Sequence, residues 1–167
     1  AGWSRALLDP FASPGPATMK RWGLIALVVV AFGGLGWLFV PGPAAPPFPA
    51  DLGSVEVVAK LVEVPPGAVF QRELYHYATI LRYEVVSCRR GGLTPGTLIH
   101  VAHYDPWKPR AEAGDARVGA LGGTVRSFVA GDRHRLALVS PLDEHYMGGL
   151  VDKYFGQHAG VTYWALR

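Results

Sequence analysis

The residues of this chain that are able to do chemistry are mostly histidine, aspartate and tyrosine. His100-Ile-Val-His103 has the look of a metal-binding pair, and Asp105 follows two positions later. Side chains alternate along a strand, so positions 100 and 103 face opposite sides and share a metal only where the strand breaks or twists. His103 and Asp105 share a face, which suits a carboxylate that orients an imidazole. A metal-dependent enzyme using His100, His103 and Asp105 is therefore one reading, and a hydrogen-bonded structural histidine is the default. His76, His134, His145 and His158 are scattered, and none falls in a His-Glu-x-x-His or a His/Cys pair spacing.

Nucleophilic catalysis has no better footing. There is no Gly-x-Ser-x-Gly elbow. Ser140 stands near Asp143 and His145, but closeness in sequence is not triad geometry. Asp143-Glu144 read as the acidic start of a helical turn, where the dipole favours them. Gly119-Ala-Leu-Gly-Gly123 lacks the Lys-Ser/Thr that completes a phosphate loop. Cys88 is the single cysteine, so no internal disulfide can form, and the expectation is a buried, inert thiol. Without Cys-x-x-Cys-His, covalent c-type haem is excluded. No catalytic, cofactor or metal residue is assigned, and the chain is expected not to be an enzyme.

A contact role is the stronger expectation. Tyr104-Asp-Pro-Trp107-Lys-Pro-Arg110 sets Tyr104, Trp107 and Arg110 in a rigid segment, and these residue types are enriched at interface hot spots. The bland alternative folds Trp107 back onto the domain. A second candidate surface lies in Gly23–Val40, eighteen residues without a charge. As a helix this run spans about 27 Å, close to a ~30 Å hydrocarbon core. Within it Ala31, Gly33, Gly34 and Gly36, with Trp37 beside them, form a notch of small residues that lets another helix approach.

The flanks set the orientation. Arg5, Lys20 and Arg21 precede the run, and the first cation after it is Lys60. The positive-inside rule places 1–22 in the cytoplasm and the C-terminal part in the periplasm of a bacterial inner membrane, with Trp3, Arg21 and Trp22 as interface anchors. The competing reading is a cleaved secretory signal beginning at Met19, against which the run exceeds the usual h-region of about 7–15 residues. The domain plan is a cytoplasmic tail (1–22), a single transmembrane helix (23–40), a Pro-rich stalk (41–50) and a periplasmic β domain (51–167). Residues 51–167 carry 13 Lys+Arg and 12 Asp+Glu, a near-neutral balance that argues against a nucleic-acid partner.

Within that domain Val55–Val64, Tyr75–Cys88, Thr97–Tyr104, Val125–Phe128, His134–Val139 and Val161–Leu166 read as strands, with a tight turn at Ala130-Gly131-Asp132. In the second strand Tyr75, Tyr77, Thr79, Leu81, Tyr83 and Val85 share one face, an aromatic stripe that reads as core. A short helix is expected near 110–121 and a helical turn within 144–155. The fold class is mainly β, a small, partly open antiparallel barrel.

The run from Val57-Val-Ala-Lys-Leu-Val62 through Leu81-Arg-Tyr-Glu-Val-Val-Ser-Cys-Arg-Arg-Gly91, Pro95-Gly-Thr-Leu-Ile-His-Val101 and Phe128-Val-Ala-Gly-Asp-Arg-His-Arg-Leu-Ala-Leu138 resembles netrin-like, tissue-inhibitor-of-metalloproteinase-type OB barrels over residues 55–139. The disulfides of those modules and their metal-chelating N-terminal cysteine are missing, so the resemblance implies an OB-like fold and leaves inhibitor activity without support. The overall layout is similar to single-helix accessory subunits of respiratory or photosynthetic complexes, such as reaction-centre–antenna supercomplexes. It implies a non-enzymatic subunit whose partners are other integral membrane subunits and lipid. The alternative is a tethered periplasmic module that binds a peptide or glycan.

Overall fold

A computed structural model of the chain describes residues 45–71, 74–119 and 121–167. The expected tail and transmembrane helix lie outside these residues, and with them Trp3, Arg21, Trp22, Ala31, Gly33, Gly34, Gly36 and Trp37. Among the described residues no helix is long and apolar enough to cross a membrane. The chain divides into two units at Pro46/Pro47, and the second holds the β domain.

The described residues form six strands, the longer ones built on alternating apolar positions: β1 (Val55–Glu63), β2 (Tyr77–Arg90), β3 (Leu98–Tyr104), β4 (Arg133–Val139), β5 (Gly149–Val151) and β6 (Thr162–Ala165). They pair in the order β1-β4-β6-β3-β2-β5, and β1 also pairs with β2. The second pairing closes five strands into a barrel and leaves β5 as an outer edge. The barrel is therefore closed rather than partly open, and it is not wholly antiparallel, because β3–β6 is parallel; the outer edge strand β5 also pairs parallel to β2. Closure depends on β2, whose fourteen residues serve two neighbourhoods. Its start pairs with β5 and β3, and its remainder pairs with β1. Irregularities at Glu56/Val57, Val58/Ala59 and Leu61/Glu63 bend the β1–β2 pair, as bulges do.

Two apolar layers result. Inside the barrel pack Val57, Ala59, Leu61, Leu81, Tyr83, Val85, Val101, Leu136 and Leu138. Outside it Ala78, Ile80, Ala102, Tyr104 and Trp164 are covered by Leu142, Tyr146 and Tyr154. Both faces of β2 are thus buried along its first half. In the expected aromatic stripe Tyr77 and Tyr83 are core, while Tyr75 is 62% exposed.

The long excursion between β3 and β4 holds one helical turn, α1 (Arg110–Ala113). Val125–Phe128 forms no strand. Instead the Val125 carbonyl accepts from the Arg110 amide at 2.8 Å, and the Phe128 ring packs on His103 and His134. Gly131, at φ 101°, makes the tight turn into β4. The helical turn expected within 144–155 is absent there: a 3₁₀ turn at Leu142–Glu144 ends where that stretch begins, and the stretch instead holds the strand β5.

The end of the stalk is tied down. Arg90 donates to the carbonyls of Pro49, Ala50 and Leu52, and the Phe48 amide donates to Glu56. Glu56, 2% exposed, takes two hydrogen bonds from Arg135 at 2.9 and 3.1 Å on one oxygen, and that guanidinium lies 3.8 Å from the centre of the Phe48 ring.

Candidate binding pocket at the β2–β5 end of the barrel

The antiparallel register sets Ala78 opposite Tyr104, so the chain leaving β3 runs beside the residues that enter β2. The Asp105 amide donates to the Tyr77 carbonyl at 2.8 Å. Asp105 adopts φ 40°, a left-handed conformation that is uncommon outside glycine and is tolerated best by Asp and Asn. That bend ends the alternation of β3 and sends the carboxylate towards His76. His76 Nδ1 lies 2.7 Å from Asp105 Oδ2, and the carboxylate is fully buried. Lys108 Nζ, at 2.9 Å, and the Tyr77 amide, at 3.3 Å, complete its shell.

A carboxylate only accepts hydrogen bonds, so Nδ1 carries the proton and Nε2 is the ring's other functional atom. The ring stacks on Tyr104, with centroids 6.0 Å apart. Tyr104 donates its hydroxyl proton to Asp115 at 2.7 Å. Burial raises the Tyr104 pKa, and the bond to Asp115 raises it further. Burial alone would raise the Asp115 carboxyl, but the bonds from Tyr104 and from the Arg117 and Val118 amides outweigh it and hold the pKa below the usual range.

These groups surround a cavity of about 350 Å³. Its wall holds His76, Arg117 and His145, the rings of Tyr104 and Tyr146, and the side chain of Met147. Among the described residues no Asp, Glu, Ser, Thr or Cys side chain lines it. Tyr146 is fixed by stacking on Trp164 at 4.8 Å. Beside the cavity runs an apolar rim: Leu74 and Met147 are each 88% exposed, Tyr75 62% and Leu150 44%. Extending the β2–β5 register, in which Tyr77 faces Gly149, places Tyr75 next to Met147.

A second polar group lies within the barrel. Tyr83 is completely buried, and its hydroxyl sits 3.1 Å from both His103 Nε2 and His134 Nδ1. Burial raises the Tyr83 pKa, a rise that nearby Arg110 partly offsets. Burial, then Arg110 and His134, lowers the His103 pKa well below the ordinary histidine value. Arg110 is 2% exposed and donates to the Tyr104 carbonyl at 2.6 Å; burial brings its pKa down to about 10. Arg110 Nε and Nη2 and His103 Nδ1 have no hydrogen-bond partner among the described residues.

The expected trio of His100, His103 and Asp105 is dispersed. His100 stacks on His158 at 3.9 Å, His103 points into the barrel, and Asp105 has bent away to His76. Asp105 therefore orients His76, not His103, because the left-handed turn breaks the strand period that the pairing assumed. Among the described residues no three of His, Cys, Asp and Glu are grouped to hold a metal ion. Of the candidate contact residues, Tyr104 and Arg110 are buried and take structural parts, a correction to the surface role expected of Arg110. Trp107 is half-buried; its indole nitrogen is enclosed, and Lys108 Nζ lies 4.7 Å from its ring centre. Cys88 is half-buried and donates to the Arg90 carbonyl. No family model, curated protein or solved structure matches the chain.

Proposed function

We propose that this chain is a membrane-anchored accessory subunit without enzymatic activity: an OB-like barrel on one transmembrane helix, in a bacterial inner membrane, whose periplasmic domain braces a larger complex through its β5 end. The observation that carries this reading is the apolar rim. Leu74, Tyr75, Met147 and Leu150 stand exposed together beside an edge strand, a combination that marks an interaction surface.

The OB-like assignment rests on topology. A β1-β2-β3 meander is followed by a crossing to β4 beside β1, and the last barrel strand lies between β4 and β3, parallel to β3. This order favours the resemblance to netrin-like barrels as a fold. The occupant of the rim is an integral membrane subunit. The sequence leaves residues 41–47 between the uncharged run and Phe48, whose amide donates to Glu56 of β1, a reach of roughly 20 Å at ~3.1 Å per residue. The domain is thereby restricted to partners at the membrane. The His76–Asp105 pair resembles half of a hydrolytic site, but among the described residues its cavity wall offers no hydroxyl or thiol nucleophile from Ser, Thr or Cys, which supports a binding role. The same pocket favours the second reading, a tethered module that grips a peptide or glycan.

Native gels after extraction in mild detergent test the first reading. The chain is expected to migrate well above its own mass, and the Met147→Asp/Leu150→Asp double variant, with an unchanged unfolding midpoint, is expected to migrate alone. A wild-type chain that runs only as a free monomer contradicts it.

A further inference from the structure

The cavity beside β5 combines basic side chains and aromatic walls. We infer that it is a binding site for an organic phosphate, with His76 and Arg117 holding the oxyanion and Tyr104, Tyr146 and Met147 packing the body that carries it. The cavity shares Met147 with the rim, but the inference does not depend on the docking of the rim.

Three basic side chains, His76, Arg117 and His145, line the space, and among the described residues no carboxylate does. The two nearby carboxylates are already engaged. Asp105 is fully buried behind the imidazole and bound by His76, Lys108 and the Tyr77 amide. Asp115 accepts from the Tyr104 hydroxyl and from the Arg117 and Val118 amides. Asp115 Oδ2 also lies 3.8 Å from His76 Nδ1, so both carboxylates are engaged in steadying the imidazole and the Tyr104 ring. Asp105 is a positioning residue: it fixes the ring through Nδ1, so the ring meets a ligand through Nε2. A protonated ring donates there to an oxyanion, and a neutral ring accepts from a monoprotonated phosphate.

Arg117 offers a planar fork suited to phosphate oxygens. Donors from several directions suit a tetrahedral group. A cavity of about 350 Å³ is far larger than one phosphate, and its remaining wall is ring and thioether. The ligand is therefore an ester with an apolar or aromatic body. A soluble ester and a phospholipid headgroup present the same chemistry.

Phenyl phosphate is the probe, titrated calorimetrically into the full chain in neutral detergent micelles, with inorganic phosphate and phenol as controls. Saturable binding of phenyl phosphate, tighter than either control and weakened at least tenfold in both Arg117→Ala and His76→Asn, is expected. Far-UV circular dichroism and a urea midpoint establish that each variant is folded. Loss of phenyl phosphate binding on doping the micelles with phosphatidylglycerol assigns the site to a lipid headgroup, and undiminished binding assigns it to a soluble ester. No saturable binding, or equal affinity in wild type and both folded variants, overturns the proposal.

Discussion

Asp105 reaches across the β2–β3 pair to hold His76 Nδ1 at 2.7 Å, although neither residue lies within a strand. The bond exists because Asp105 leaves β3 in a left-handed conformation next to Tyr77, where β2 begins. It fixes which imidazole nitrogen is protonated and which edge of the ring is left to the pocket.

Asp105→Asn tests that relationship. Asparagine tolerates a positive φ and keeps the shape, but it replaces a charged acceptor with an amide. Imidazole ¹⁵N shifts of His76 are expected to report the Nδ1–H tautomer in the wild type and a mixture of tautomers in the variant. A wild-type ring protonated only at Nε2 contradicts the assignment.

The hydroxyl of Tyr83 bridges His103 and His134 inside the barrel. Tyr83→Phe keeps the ring but leaves two buried imidazole nitrogens without their partner. A loss of about 1–3 kcal/mol is expected in urea unfolding. A change under ~0.5 kcal/mol would show that the hydroxyl is not integral to the core.

The depressed pKa of His103 gives stability a definite pH dependence. In the unfolded chain the ring titrates at about 6.5, and in the folded barrel burial lowers the value well below that. Between the two the unfolded chain binds a proton that the folded chain does not, so stability rises with pH in that window. The contribution is full above about pH 6.5 and drains away as the pH falls towards the folded value, at up to ~1.4 kcal/mol per pH unit. His134, also lowered by burial, adds to the slope. Unfolding midpoints from pH 7.5 to 5 are expected to fall in the wild type and to fall less in His103→Gln. Identical slopes in the two proteins contradict this cause.

Strand positions were legible because the buried face of a barrel enforces a two-residue period. Val57, Ala59 and Leu61 keep that period in β1, as do Leu136 and Leu138 in β4, and both strands lie where the pattern places them. Val125–Phe128 has the composition of a strand, yet Phe128 is drawn onto the two buried histidines, and that tertiary contact outweighs propensity. β5 went unseen because three residues, Gly149–Val151, carry no period. The pocket was illegible for a related reason. His76 and Asp105 are 29 positions apart, and only the register of two strands makes them neighbours. A search for spacing finds His100 and His103 instead, which alternation sends to opposite faces. The signal that was present is the Asp-Pro pair at the end of β3, a place where chains turn and strand period lapses.

The central claim is that the β5 end of the barrel meets a membrane subunit, and site-specific photocrosslinking in intact membranes tests it most directly. A crosslinker at Tyr75 or Leu150 is expected to give an adduct with the same integral membrane protein from both positions, and one at Lys60, exposed on β1, is expected to give none. Adducts in equal yield from all three positions, or adducts with lipid alone, would contradict the account.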